Sequence, residues 1–297
     1  MIFDNISAII ADATGNRKDN WKLTPVKTYD DVLNLLTTEY SQAFNKFAHD
    51  YIGIYKGFEK NLISDKANRA KVGVIITPGV RLSHEATTNT VNLLQSSILP
   101  SWKKFTPRNK SLIGSLNPYT AKTWADNYDT TLHQLFPINN TDVTIAPNND
   151  FSNAFNYNGE EIDTHLLDYT IIDLFVKAGV AKSYHDYYNN NRFLNSPESL
   201  INALKQLETY ILSEKPTNTE LSTAYEDYII ELTRKHKNII KALDIILKPK
   251  KFKIYKIADI PERYSAEDSE AWFSAKCLVL LAKDAVTIVK SFLANNE

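Results

Sequence analysis

The spacing of the apolar residues changes character several times along the chain, and the order of those changes constrains the fold more than any other feature. From Thr28, Val32, Leu35, Leu36, Tyr40, Ala43, Phe44 and Phe47 recur at three- and four-residue intervals, the spacing of one helix face. The following "YIGIYKGFEKNLI" keeps that spacing through Tyr51, Ile54, Tyr55, Phe58 and Leu62. A helix is therefore expected from Thr28 to about Ser64, weakened near Gly53 and Gly57, with Thr28 and Asp31 as a capping box. "KVGVIITPGVRL", Lys71 to Leu82, is β-branched and short and meets Pro78-Gly79, which reads as a strand entering a bend. Three long helical patterns run from Ile162 to Leu247, and "KFKIYKI", Lys251 to Ile257, then alternates with period two. Helix, strands, a block of helices and strand again predict an α+β fold with a mixed or antiparallel β core. The expected domains are a helical lead-in at 1–70, a β-rich core at 71–160 and 251–297, and a helical insertion or subdomain at 161–250.

Local signals divide these blocks further. Thr87 to Leu99 reads as helix, "PSWKKFTPRNK" as loop, and Ser111 to Ser115 as a short buried strand. Asn117 suits an N-cap with Pro118 in the first turn of a helix to Tyr128. "TTLHQLFPI" and "DVTIA", separated by Asn139-Asn140, read as a hairpin. Residues 148–159 are Asn-rich and irregular. Within the helical block, Ser196 caps one helix and Thr217 with Glu220 caps another, which ends at Lys248-Pro249. His236 falls on the apolar stripe of that last helix and reads as a core histidine. For "EAWFSAKCLVLLA" two readings stand: a buried strand, or one helix capped by Ser265 and Asp268 and running to Leu293.

Composition removes several classes of function. With 34 Lys and Arg against 35 Asp and Glu the formal net charge is -1, so bulk electrostatics favours neither nucleic acid nor an acidic membrane as partner. The single cysteine, Cys277, allows no disulfide framework and no multi-cysteine metal site. The six His form no HExxH pair, and no metal site is expected. Eight Gly supply neither GxGxxG nor a P-loop, and no GxSxG elbow is present. No basic leader or run of about 18 apolar residues occurs. The expectation is a soluble protein without membrane insertion or a secretion signal, cytoplasmic or virion-associated.

The order of "YIGIYKGFEKNLI", "VIITPGVRL", "LIGSLNPYTAKTWA", a hairpin and "EDSEAWFSAKCLVLL" resembles the R-S-E type of ADP-ribosyltransferase fold over roughly half the chain. In that family a helical lead-in precedes a strand carrying Arg, a Ser strand, a helix with Ala and an aromatic, and a Glu-x-Glu loop entering a strand. The resemblance implies an NAD-dependent transferase that moves ADP-ribose to a protein target. Ser115 would orient the ribose, and Trp124 belongs to the helix that follows. Glu270 would be the key carboxylate, with Asp268 in place of the first Glu. Pro78 stands where the family has its Arg, so Arg81, two residues beyond Gly79, would clamp the phosphates. Cleavage of the nicotinamide–ribose bond builds positive charge on the sugar, which a carboxylate stabilises, while an arginine grips pyrophosphate. Read from the residues alone, Ser115 ends a buried strand, Asp268 and Glu270 are first-turn acids, and Arg81 is a surface charge. On that view the same fold, lacking the Arg, serves as a catalytically inactive structural or interaction protein, such as a phage virion component, with an assembly partner instead of a substrate.

Overall fold

The computed structural model describes residues 22–58, 72–79, 89–127, 130–146, 151, 154–184, 186–187, 196–213 and 224–294. In chain order the elements are β1 (Lys22–Val26), α1 (Tyr29–Thr37), α2 (Ser41–Asp50), β2 (Ile54–Phe58), β3 (Gly73–Thr77), α3 (Asn89–Ser97), β4 (Leu112–Ser115), α4 (Pro118–Asn127), β5 (Thr131–Pro137) and β6 (Asp142–Ala146). There follow β7 (Phe155–Tyr157), β8 (Glu160–Ile162), α5 (Thr164–Lys177), α6 (Pro197–Ser213), α7 (Ala224–His236), α8 (Ile239–Ile246), β9 (Lys253–Lys256), α9 (Arg263–Ala266), β10 (Glu270–Phe273), β11 (Cys277–Leu281) and α10 (Ala282–Ala294). The fold is α+β. The described residues fall into two compact units, one built from 22–79, 105–154 and 251–294, the other from 89–104 and 155–250.

The first unit is a nine-stranded sheet in the order β1-β3-β11-β5-β2-β4-β10-β6-β9, with every neighbouring pair antiparallel. Its middle strands are buried on both faces, as "CLVLL" of β11 and "EAWF" of β10 show. Phe44 and Phe47 of α2 meet Phe136 of β5 at ring-centroid distances of 6.4 and 5.9 Å, and Phe292 of α10 closes on Phe44 at 5.0 Å. Phe44, Phe47 and Phe136 are buried, and burial of such a ring contributes about 1.5–3 kcal/mol. The last segment is thus two strands followed by a helix. Glu270–Phe273 and Cys277–Leu281 pair into the sheet instead of extending α10 towards Ser265.

Several sequence expectations change in this unit. The predicted long helix from Thr28 becomes two helices and a strand. Thr28 does cap α1, accepting the Asp31 amide at 3.1 Å, but α2 ends at Tyr51 in the left-handed region (φ 56°), and Ile54–Phe58 is β2. Ile54, Tyr55 and Phe58 are all buried; a strand covered on both faces loses its alternation, and its apolar residues then imitate helical spacing. β5 and β6 do not form a hairpin, for β2, β4 and β10 lie between them. The Asn139-Asn140 corner instead serves α2: the Asn139 Oδ1 accepts the Gln42 amide at 2.9 Å, and its Nδ2 donates to the Thr38 carbonyl at 2.8 Å.

The second unit packs α3 and α5–α8 with the β7–β8 hairpin. That hairpin turns at Asn158-Gly159, both at positive φ (52° and 85°), the requirement of a tight two-residue turn. It replaces the tail of the expected irregular stretch. Asp163 caps α5 by accepting the His165 and Leu166 amides, and Ser196 caps α6 through Ser199. The last long helical pattern is broken at Lys237 (φ 49°), after which Asn238 caps α8 by accepting the Lys241 amide at 2.7 Å. His236 closes α7 half-buried, not in the core. The expected cap at Thr217 and Glu220 lies outside the described residues.

Candidate functional site

The centre of the sheet brings together residues distant in sequence. β4 is the strand of "SLIGS", and its last residue, Ser115, is the register partner of Glu270 at the start of β10. On its other side Ser115 pairs with Tyr55 of β2, and Glu270 pairs onward with Ala146 of β6. Directly opposed residues in an antiparallel pair project from the same face with Cβ atoms about 4.5–5.5 Å apart. Tyr55, Ser115 and Glu270 therefore form one row across three strands. Burial pushes the Tyr55 hydroxyl up to about 12, so the row carries a neutral phenol at one end and a carboxylate at the other.

Ser115 and Glu270 in this row already have hydrogen-bond partners. The Ser115 side chain is fully buried. Its Oγ accepts the Asn117 amide at 3.0 Å and donates to the Ser269 carbonyl at 3.4 Å, which turns the chain out of β4 into α4. Asn117 then caps α4, its Oδ1 accepting the Tyr119 amide at 2.9 Å. Asp268 is exposed, and its Oδ1 accepts from Asn117 Nδ2 at 3.3 Å and from the Thr120 hydroxyl. It fastens the loop before β10 to the start of α4. Trp124 sits half-buried one turn beyond Thr120.

Glu270 is 5 % exposed, and its partner comes from the loop-like segment "PSWKKFTPRNK". Arg108 grips the carboxylate with Nε to Oε1 at 3.1 Å, Nη2 to Oε1 at 3.0 Å and Nη2 to Oε2 at 3.2 Å. The Phe151 amide approaches Oε2 at 3.5 Å. These contacts occupy about four acceptor positions, all that a carboxylate offers. The guanidinium lies 4.3 Å from the Phe151 ring centroid and 5.9 Å from that of Trp272, a cation–π arrangement that compensates part of its desolvation. Phe252 completes the surround, 6.2 Å from Phe151 and 5.9 Å from Trp272.

The segment that carries Arg108 is strapped to the sheet. Trp272 Nε1 donates to the Thr106 carbonyl at 2.9 Å, the Thr106 amide donates to Thr144 Oγ1 at 3.2 Å, and Ser274 Oγ donates to the Lys110 carbonyl at 2.8 Å. A single helical turn, Arg108–Lys110, lies between these anchors, with Ser111 Oγ donating to the Pro107 carbonyl. "TPRNK" has no periodicity to mark it. Arg108 and Glu270 are 162 positions apart, so only the fold reveals their pairing.

Of the residues nominated from sequence, Ser115, Asp268 and Glu270 gather at the β4–β10 seam, and Trp124 stands on the adjoining α4. Arg81 lies outside the described residues. β3, the strand that precedes it in sequence, is separated from β4 by β11, β5 and β2. β4 pairs instead with β10 and with β2, whose Lys56 has its Nζ 5.5 Å from the Phe58 ring centroid. Strand alternation puts Lys56 on the face opposite Tyr55. Cys277 is buried, and burial holds its thiol well above the ordinary range, the condition of an unreactive sulfur. Among the described residues no three His, Cys, Asp or Glu cluster as metal ligands, and no helix is long and apolar enough to cross a membrane. No protein-family model, curated protein or solved structure matches this chain.

Proposed function

We propose that this chain is an ADP-ribosyltransferase-like protein that takes NAD as substrate and passes ADP-ribose to a protein acceptor. The observation that supports it most is the register of Ser115 against Glu270, since a serine that orients the ribose and a carboxylate that stabilises it must act on one sugar. The order along the chain on which the resemblance rests is α1 and α2, then β3 ahead of Arg81, then β4 with Ser115, then α4 with Ala121 and Trp124, and finally Asp268 and Glu270. In this reading Glu270 stabilises positive charge as the bond to nicotinamide breaks. Ser115 acts through the turn it holds rather than by a free hydroxyl.

A second reading rests on the saturation of Glu270 by Arg108. A carboxylate with every lone pair engaged is a structural ion pair, and the chain would then be a non-catalytic interaction or assembly protein. Incubation with NAD separates the two. The transferase reading expects NAD to raise the melting temperature by linkage and nicotinamide to be released, with the release abolished in Glu270→Gln. No shift at millimolar NAD and no nicotinamide from the wild type would leave only the assembly reading.

A further inference from the structure

We infer that Arg108 is an internal latch on Glu270: it occupies the carboxylate in the resting protein and must withdraw before Glu270 engages a ribose. The inference rests on the transferase reading above and adds its regulation. Three observations carry it. The Arg108 contacts and the Phe151 amide fill the carboxylate, so a ribose hydroxyl has no lone pair to bond without displacing one of them. Phe151 stacks on the guanidinium at 4.3 Å and is 1 % exposed, so the latch and its cover close together. Finally, Arg108 is carried on one short turn between the anchors at Thr106 and Lys110, whereas Glu270 is fixed by pairing on both edges of β10. The arginine is the partner that withdraws, because its short turn belongs to no strand whereas the backbone of Glu270 is held on both edges of β10.

A latch of this kind reduces apparent affinity by the fraction of protein that is open. Arg108→Gln weakens the grip while retaining one donor for the buried carboxylate, and Arg108→Lys keeps the charge without the bidentate fork. Both are compared with the wild type and Glu270→Gln by NAD titration and by release of nicotinamide into water. In that reaction water oxygen bonds to the ribose carbon as the carbon–nitrogen bond breaks, giving ADP-ribose, nicotinamide and a proton. A latch that keeps nine-tenths of the protein closed predicts about tenfold tighter NAD binding in Arg108→Gln, a smaller gain in Arg108→Lys, and release that still requires Glu270. Circular dichroism establishes that each variant is folded. If the wild type binds NAD and both folded Arg108 variants bind it equally or more weakly, the latch is overturned and the transferase reading stands. If neither the wild type nor the Arg108 variants bind NAD, the transferase reading falls and the latch with it.

Discussion

Ser115 and Glu270 face one another across adjacent antiparallel strands, yet neither spends its polar atoms on the other: Ser115 bonds the Asn117 amide and the Ser269 carbonyl, and Glu270 bonds Arg108. The serine is thus a structural turn residue whatever else it does. Ser115→Ala leaves the Asn117 amide without that acceptor next to a fully buried site, and the expected cost is about 1–3 kcal/mol. Urea denaturation measures it; a change below the scatter of the method would mean that water replaces the hydroxyl.

Gly114 precedes it for a steric reason. A Cβ at this position would lie 2.4 Å from the Tyr55 carbonyl oxygen and 3.0 Å from Ile54 Cγ2. The first neighbour is backbone and has no rotamer by which to yield. Gly114→Ala should therefore push β2 away from β4 and cost at least about 1–3 kcal/mol, the range of overpacked cores. The Tyr55–Ser115 pairing would be lost first, so faster exchange of the β2 and β4 amides is expected; unchanged protection would count against the close approach.

These cases mark what the chain discloses locally and what it does not. The caps at Thr28, Asn117 and Ser196 and the strand in "SLIGS" are legible because their determinants lie within four residues. β2 is not, because burial of both faces erases the alternation that identifies a strand. The Asn139-Asn140 corner misleads because asparagine caps helices as readily as it makes hairpin turns. The Asn158-Gly159 hairpin, by contrast, carries the strongest short-range hairpin signal, and only its irregular surroundings obscure it. The site divides the same way. Ser115 and Glu270 stand out by the order of their segments, whereas Arg108 sits in an aperiodic pentapeptide and acquires its meaning from a partner at the far end of the chain.

The Arg108–Glu270 pair makes a sharper test of energetics. Side-chain exposures of 13 % and 6 % mean that removing one partner leaves the other uncompensated. Arg108→Leu should cost about 3–5 kcal/mol, while the double variant Arg108→Leu with Glu270→Leu should recover much of that loss. A double-mutant cycle from denaturation midpoints gives the coupling. Additive single effects would show that the two charges are solvated independently.

His133 on β5 supplies an acid-sensitive element. Burial lowers its pKa to about 4, against the ordinary 6.5, with the Thr131 carbonyl hydrogen bond opposing. Below pH 6.5 the unfolded chain binds a proton that the folded chain refuses. The stability from keeping His133 neutral is therefore complete above pH 6.5, falls as the pH drops towards 4, and is constant below. A shift of that size corresponds to about 3 kcal/mol. His133→Leu should flatten the denaturation midpoint between pH 6.5 and 4; a midpoint that keeps the wild-type slope would assign the acid sensitivity to other groups.

Asp168 on α5 works in the opposite sense. Its side chain is fully buried, and Oδ1 accepts the Val91 amide at 2.9 Å, which fixes the first turn of α3. Burial raises its pKa well above the usual carboxylate value, against the lowering effect of the Val91 and Thr90 hydrogen bonds. The native state therefore holds a proton that the unfolded chain releases above about pH 3.8. This contribution is fully present below that pH and declines as the pH rises towards the folded pKa. Asp168→Asn retains the carbonyl acceptor for Val91 and removes the ionisation. It should exceed the wild type in stability at pH 8, with the gap narrowing as the pH falls to 4. Asp168→Ala, which loses the acceptor as well, should be less stable than Asp168→Asn at every pH, by about 1–3 kcal/mol. Urea midpoints for the three proteins at pH 4, 6 and 8 decide the matter, and an Asp168→Asn gap that does not change with pH would show that the buried carboxyl is not the titrating group.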